Sequence, residues 1–128
     1  MEGDIALASL PQADGLIKPR PAILLRQMPP FGDWLVCGIS TQLHQRFADL
    51  DELIEPSDPD FADSGLKSPS VIRLGFLTTL PARRFHGVVG SISRERHQRL
   101  MQRLSDYLQP DEMAPERSEE HTSELQSL

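Results

Sequence analysis

The sequence predicts a mainly β (α+β) fold: a small, strongly bent β-barrel with one C-terminal amphipathic helix packed against it. Three observations lead there. Short apolar runs rich in β-branched and large aliphatic residues recur along the chain, each cut off by Pro, Gly or Asp. One of the last, residues 85–92, contains Gly87 and Gly90, which favours a bend or a bulge. The one clear helical period follows it, from Ser93 to Leu108.

In order, residues 5–10 are apolar enough for a largely buried strand, ended by Pro11. A loop over 12–19 leads to a second strand, 21–27, stopped by Pro29-Pro30. Gly32-Asp33 turns the chain into a third strand, 34–40, whose large and β-branched side chains suit a central position. Residues 41–50 are polar and ambiguous, with room for one helical turn. Residues 52–55 read as a short edge strand, and 56–60 as loop leading to a helical turn near Phe61. Residues 70–76 alternate: Ile72, Leu74 and Phe76 fall on one face, and Val71, Arg73 and Gly75 on the other. In the helix, Ser93 is the N-cap, Glu95 lies in the first turn, and Leu100, Met101, Leu104, Tyr107 and Leu108 form the apolar stripe.

The composition, 38% hydrophobic and 25% charged over 128 residues, is that of one soluble globular domain with a modest core. No apolar run approaches the roughly 18 residues of a membrane helix, so no membrane association is expected. The acidic start, Met1-Glu2-Gly3-Asp4, is unlike a signal peptide. Cys37 stands alone, which argues against a disulfide framework and for a reducing, cytoplasmic setting. Inside its apolar run Cys37 reads as a small buried side chain rather than a nucleophile. Residues 117–127 resemble the translated read-through of a common sequencing-library adapter. The expected domain is therefore 1–109, with 110–128 a polar tail. That adapter-like stretch carries one Arg and three Glu, so without it the net charge of −6 becomes −4.

An acidic chain is not an obvious nucleic-acid binder, so the distribution of charge matters more than its sum. Acids bunch at Asp49, Asp51, Glu52, Glu55, Asp58, Asp60 and Asp63; bases lie at Lys18, Arg20, Arg26, Lys67, Arg73, Arg83, Arg84 and along 94–103. An exposed basic groove is compatible with this pattern. There is no Gly-rich phosphate loop, nucleophile elbow or His-Glu-x-x-His pair. His44, His86 and His97 lack partners at metal spacing, so neither metal nor organic cofactor is implied. His97 reads as a core-edge side chain on the helix, and His44 as a candidate acid or base.

The segment from Gly15 to Leu25 stands out. Arg20 lies between Pro19 and Pro21, so its backbone is biased to extended geometry at the mouth of a strand. A planar, permanently charged guanidinium held there suits an anion site; a solvated Arg beside a turn is the plainer reading.

Five short blocks, in order, resemble the MazF/PemK toxins. They are Gly3-Asp4-Ile5; Arg20-Pro21-Ala22-Ile23-Leu24; Val36-Cys37-Gly38-Ile39-Ser40-Thr41-Gln42; Gly65-Leu66-Lys67 with Ser70-Val71-Ile72-Arg73; and Ile92-Ser93 before the helix. The likeness spans about residues 3–108. It implies an SH3-like barrel, usually homodimeric, that forms the toxin half of a type II toxin–antitoxin module. Typical members are metal-independent endoribonucleases cutting single-stranded RNA, mostly mRNA. A cognate antitoxin neutralises them with a peptide laid across the dimer groove.

By this resemblance Arg20 and Ser40 are the catalytic candidates. Lys18, Arg73, Thr41 and Gln42 are the RNA- and phosphate-binding ones. Ser40 matches a position usually held by Thr and keeps its hydroxyl; without the match it reads as a strand-end hydroxyl satisfying nearby backbone. Thr41 would fall on the opposite face if the strand continued. Two departures stand out. Gly75 replaces an Asp proposed as general base in some members, and Leu16 replaces their loop His. Asp14 is a loop candidate for the base, though beside Gly15 it suits a turn. Two alternatives remain open: a same-fold toxin that poisons a protein such as gyrase, and a degenerate member that keeps only RNA or antitoxin binding.

Overall fold

The computed structural model describes residues 1–11 and 15–110. The candidate base Asp14 and the adapter-like tail lie outside the described residues. Six strands form one antiparallel sheet: β1 (Asp4–Pro11), β2 (Ile17–Met28), β3 (Asp33–Ser40), β4 (Glu52–Ile54), β5 (Ser70–Leu80) and β6 (Phe85–Ser91). Their spatial order is β4-β5-β3-β2-β1-β6. The helices are α1 (Phe61–Ser64) and α2 (Arg94–Leu108), with 3₁₀ turns at Leu43–Gln45 and Ala82–Arg84. The fold is mainly β and barrel-like, as expected. The barrel is not closed, because β4 and β6 remain separate edges.

Two strands run longer than the sequence suggests. β2 starts at Ile17 rather than Pro21, with Leu10 facing Lys18 and Ala8 facing Arg20. β3 pairs with β2 only from Ala22 onward, so Pro19 and Pro21 occupy a stretch with a partner on one side, where a residue lacking N–H is tolerated. β5 continues to Leu80, but its register against β3 jumps from Cys37↔Leu77 to Gly38↔Arg73. Leu74, Gly75 and Phe76 are left unmatched in a wide bulge.

That bulge corrects the expected alternation. Ile72 and Leu74 enter the main core with Ile5, Ile23, Leu25, Cys37 and Ile39 beneath α2, whereas Phe76 packs on the opposite side. There it joins Ala6, Ala8, Leu10, Ala22, Leu24 and Val36. The buried Asp51 carboxylate accepts from the Phe47 N–H at 2.9 Å and from the Gly75 N–H at 3.4 Å, tying the preceding turn to the bulge.

α2 supplies Leu100 and Leu104 to the main core, with Met101 half-buried against it. Tyr107 and Leu108, expected on the buried stripe, are exposed, with Tyr107 meeting the exposed Phe47 edge-on at 6.3 Å between ring centroids. His97 is a core-edge side chain, its Nε2–H donating to the Leu25 carbonyl at 2.8 Å. Ser93 caps the helix by accepting from the Arg96 N–H.

The basic run of α2 does not form an open groove. Arg96, Arg99 and Arg103 recur at helical spacing and meet the acidic segment. Arg96, 4% exposed, holds Asp60 with two bonds, Nε to Oδ2 at 2.8 Å and Nη2 to Oδ1 at 3.1 Å. Its Nη1 donates to Glu52 at 2.6 Å and to the Leu53 carbonyl at 3.1 Å, while Asp58 lies 3.2 Å from Nη2. Arg99 chelates the same Glu52, and Arg103 donates to the Ala48, Leu50 and Asp51 carbonyls.

Removing one partner of such a buried network leaves charges desolvated and unpaired. Arg96→Ala is expected to cost about 3–5 kcal/mol, read as a lower urea midpoint at unchanged slope. Burial pushes the Asp60 carboxyl up, but hydrogen bonds from Arg96 and the Ser93 N–H and the Arg96 charge outweigh this, leaving it below its ordinary 3.8. A depressed carboxyl contributes stability that is fully present above its unfolded-state value and is lost as pH falls through the folded-state value. Urea unfolding from pH 5 to about pH 2 should show this loss, and Arg96→Met should flatten it.

Candidate functional site

On the face of the sheet away from α2, paired residues bring the site together, since directly opposed antiparallel residues project to the same side. Ala8 faces Arg20, Ala22 faces Gly38, Gly38 faces Arg73, and Ser40 faces Val71. Arg20 on β2, Ser40 at the end of β3 and Arg73 on β5 therefore converge around Gly38. The result is a cleft of about 760 Å³. Its floor comes from these strands and Phe76; the segment from Leu66 to Ser70 and residues Thr41, Gln42 and Gln45 form its walls.

Gly38 leaves room for a neighbouring ring here. A Cβ at this position would stand 3.1 Å from Phe76 Cδ1, so the ring displaced by the bulge lies against bare backbone. The Arg73 guanidinium stacks over that ring, 5.7 Å from its centroid, within cation–π range. Arg73 Nε is buried and has no hydrogen-bond partner among the described residues.

Among the described residues the lining carries three cations, Arg20, Lys67 and Arg73, and no carboxylate or imidazole. It also carries the hydroxyls of Ser40, Thr41, Ser68 and Ser70. Ser40 Oγ accepts from the Gln42 N–H at 3.0 Å, which fixes the hydroxyl and leaves its hydrogen to donate elsewhere. The backbone-satisfying role is thus real and leaves the donor available. A second hollow, about 350 Å³, beside the N-terminus of α2 has the opposite character. Asp58, Asp60, Asp63 and Glu95 outnumber Arg96 and Arg99 there, which disfavours a polyanion.

Of the residues singled out in the sequence, Arg20, Ser40, Thr41, Gln42 and Arg73 all line the cleft. Thr41 faces it because β3 stops at Ser40, so the opposite-face expectation does not apply. Lys18 projects from the same face of β2 two residues before Arg20 but lies outside the lining, exposed. His44 and Leu16 are exposed and also outside it. Gly75 turns its N–H to Asp51. Lys67 and Phe76 were not assigned to a site from sequence, although Lys67 sits in one of the family-like blocks. His86 hydrogen-bonds Ser9 Oγ at 2.6 Å, outside the cleft lining. Among the described residues no cluster of three or more His, Cys, Asp or Glu is arranged to hold a metal, and no helix is long and apolar enough to cross a membrane.

An open, bent antiparallel sheet backed by one helix, with a cationic, hydroxyl-lined cleft on its free face, defines a small β-barrel-like protein with a positively charged surface on that face. The family described as PemK-like, MazF-like toxin of type II toxin-antitoxin system matches residues 1–108, and the chain belongs to it. The fold is shared with the Mycobacterium tuberculosis toxin MazF-mt6 at TM-score 0.62 and 22% identity, over 84% of this chain and 98% of that one. A search of curated proteins finds no match.

Cys37 is fully buried, and that burial pushes its thiol up to about 12. Thiol reagents at pH 8 should leave it untouched in the native protein and modify it only across the unfolding transition, as read by mass spectrometry. Rapid native labelling would return Cys37 to the list of nucleophiles.

Proposed function

We propose that this toxin is an endoribonuclease that cleaves single-stranded RNA, mRNA in the cell, without a metal cofactor. The observation that carries the reading is the convergence of Arg20, Arg73 and Lys67 with the Ser40 hydroxyl in a cleft with no carboxylate among its described residues. An RNA phosphate and its neighbouring 2′-hydroxyl suit such a lining. In the proposed reaction the 2′-oxygen bonds to phosphorus and the P–O5′ bond breaks. The 2′ proton passes to solvent water, and the departing 5′-oxygen takes a proton back from solvent water. The products are a 2′,3′-cyclic phosphate and a 5′-hydroxyl.

The dianionic, phosphorane-like transition state carries more charge than the bound phosphodiester. Fixed guanidinium groups and a hydroxyl donor therefore favour it over the ground state. Arg20 and Arg73 supply the charge, and Ser40 a hydrogen bond to a non-bridging oxygen. Lys18, Thr41 and Gln42 extend the contact along the strand. We further propose a cytoplasmic homodimer, restrained by a cognate antitoxin whose peptide lies over this cleft, and a domain ending near residue 109.

One observation favours a second reading. Among the described residues no carboxylate or imidazole lines the cleft to take the 2′ proton, which suits a member that binds RNA or antitoxin without cutting. Incubation with defined single-stranded RNAs in EDTA separates the two. Cleavage with cyclic-phosphate ends, identified by mass spectrometry, is expected; uncut RNA, or a strict metal requirement, sinks the nuclease reading. Arg20→Ala should lower the rate by roughly 10²-fold or more at near-parental stability, because it removes transition-state charge stabilisation. Growth arrest that survives replacement of both Arg20 and Ser40 by Ala would point instead to poisoning of a protein target.

A further inference from the structure

The aromatic ring beneath the Arg73 guanidinium has no role in the phosphate chemistry above. Phe76 lies half-buried in the lining, on the side of the sheet opposite Ile72 and Leu74. Three unmatched residues of β5 put it there, and side-chain-free Gly38 makes room for its ring. Arg73 covers the ring, with a buried Nε that lacks an acceptor.

We propose that the Phe76–Arg73 stack is a platform for one unstacked nucleobase of the bound strand. This rests on single-stranded RNA being the ligand. Attack by a 2′-oxygen in line with the departing 5′-oxygen needs a nucleotide splayed out of regular stacking, and its base then needs a flat surface. Aromatic rings and guanidinium planes are the protein surfaces that unstacked bases occupy. Gln42 and Gln45, in the same lining, carry amides able both to donate to and to accept from a base edge. The platform selects for the presence of a base, and these amides for its identity.

The test uses 2′-O-methyl oligonucleotides, which lack the nucleophile and cannot be cut, with affinity read by fluorescence anisotropy. Phe76→Leu should weaken binding on the order of tenfold, while Phe76→Tyr stays near the parent. Against the parent, an abasic nucleotide should cost a similar factor at one position only. In Phe76→Leu that abasic change should cost clearly less than in the parent, since both changes remove the same stacking contact. Parental affinity in a folded Phe76→Leu, while Arg20→Ala binds weakly, overturns the platform. If the Leu variant does not fold, the abasic scan on the parent decides: equal losses at every position overturn the proposal. Phe76-dependent binding without any cleavage of unmodified RNA overturns the nuclease reading and leaves the platform standing. Cleavage unchanged in rate and affinity in Phe76→Leu does the reverse.

Discussion

The buried Arg96 guanidinium sets the frame on which the rest of the molecule depends. Desolvating a cation and several carboxylates is expensive, and such a cluster persists only where every member is paired and hydrogen-bonded. Here Arg96 ties the first turn of α2 to Glu52 of β4 and to Asp58 and Asp60 of the loop before α1. Asp60 also accepts from the Ser93 N–H, so one carboxylate fixes the entry of the helix and the loop together. The restraint carries through α1 to Gly65, which closes that helix in the left-handed region at φ 74°. A Cβ at Gly65 would meet the Val89 carbonyl, and one at Gly90 would meet Ser64, so the segment lies backbone to backbone on β6. Leu66 and Lys67 follow directly and form a wall of the cleft. Electrostatic pairing on one side of the sheet thus sets the shape of a site on the other.

The bulge in β5 is the second determinant. Regular alternation would send Phe76 into the main core and leave a flat strand beside Gly38. The unmatched residues reverse the parity between Leu74 and Phe76, so consecutive apolar side chains serve opposite faces. Asp51 steadies the distortion through the Gly75 N–H. The position where some relatives carry an acid is therefore a backbone donor in this chain, held by an acid from another turn.

Much of this was legible in the sequence. The apolar runs at 5–10, 21–27, 34–40 and 70–76 are strands because side-chain burial on a sheet imposes that pattern locally. Ser93 and the Leu100–Leu104 spacing mark the helix for the same reason. What escaped depends on distant partners. Pro19 and Pro21 look like breakers until β1 is seen to pair with them on one side only. Phe76 cannot be assigned a face without the contact between Asp51 and Gly75, 24 positions apart. The acids at 52–60 and the arginines of α2 read as separate charged surfaces, and only folding brings Asp60 to Arg96 across 36 positions. Arg20, Ser40 and Arg73 became visible as a set through the ordered family-like blocks, because their spacing along the chain carries no geometric signal.

The ion network also accounts for an apparent contradiction, a cationic cleft in a chain of net charge −6. Interactions between exposed charges fade beyond a Debye length of about 8 Å at physiological salt, so what a bound anion senses is the local set of groups. Glu52, Asp58 and Asp60 face Arg96 and Arg99 rather than the cleft. Arg20 and Lys67 have no ion-pair partner among the described residues, and Arg73 stacks on an uncharged ring. Net charge therefore describes how the whole molecule meets bulk solvent, while the cleft is governed by Arg20, Lys67 and Arg73. Pairing the acids against α2 allows an acidic protein to present a site with no negative group among its described lining residues.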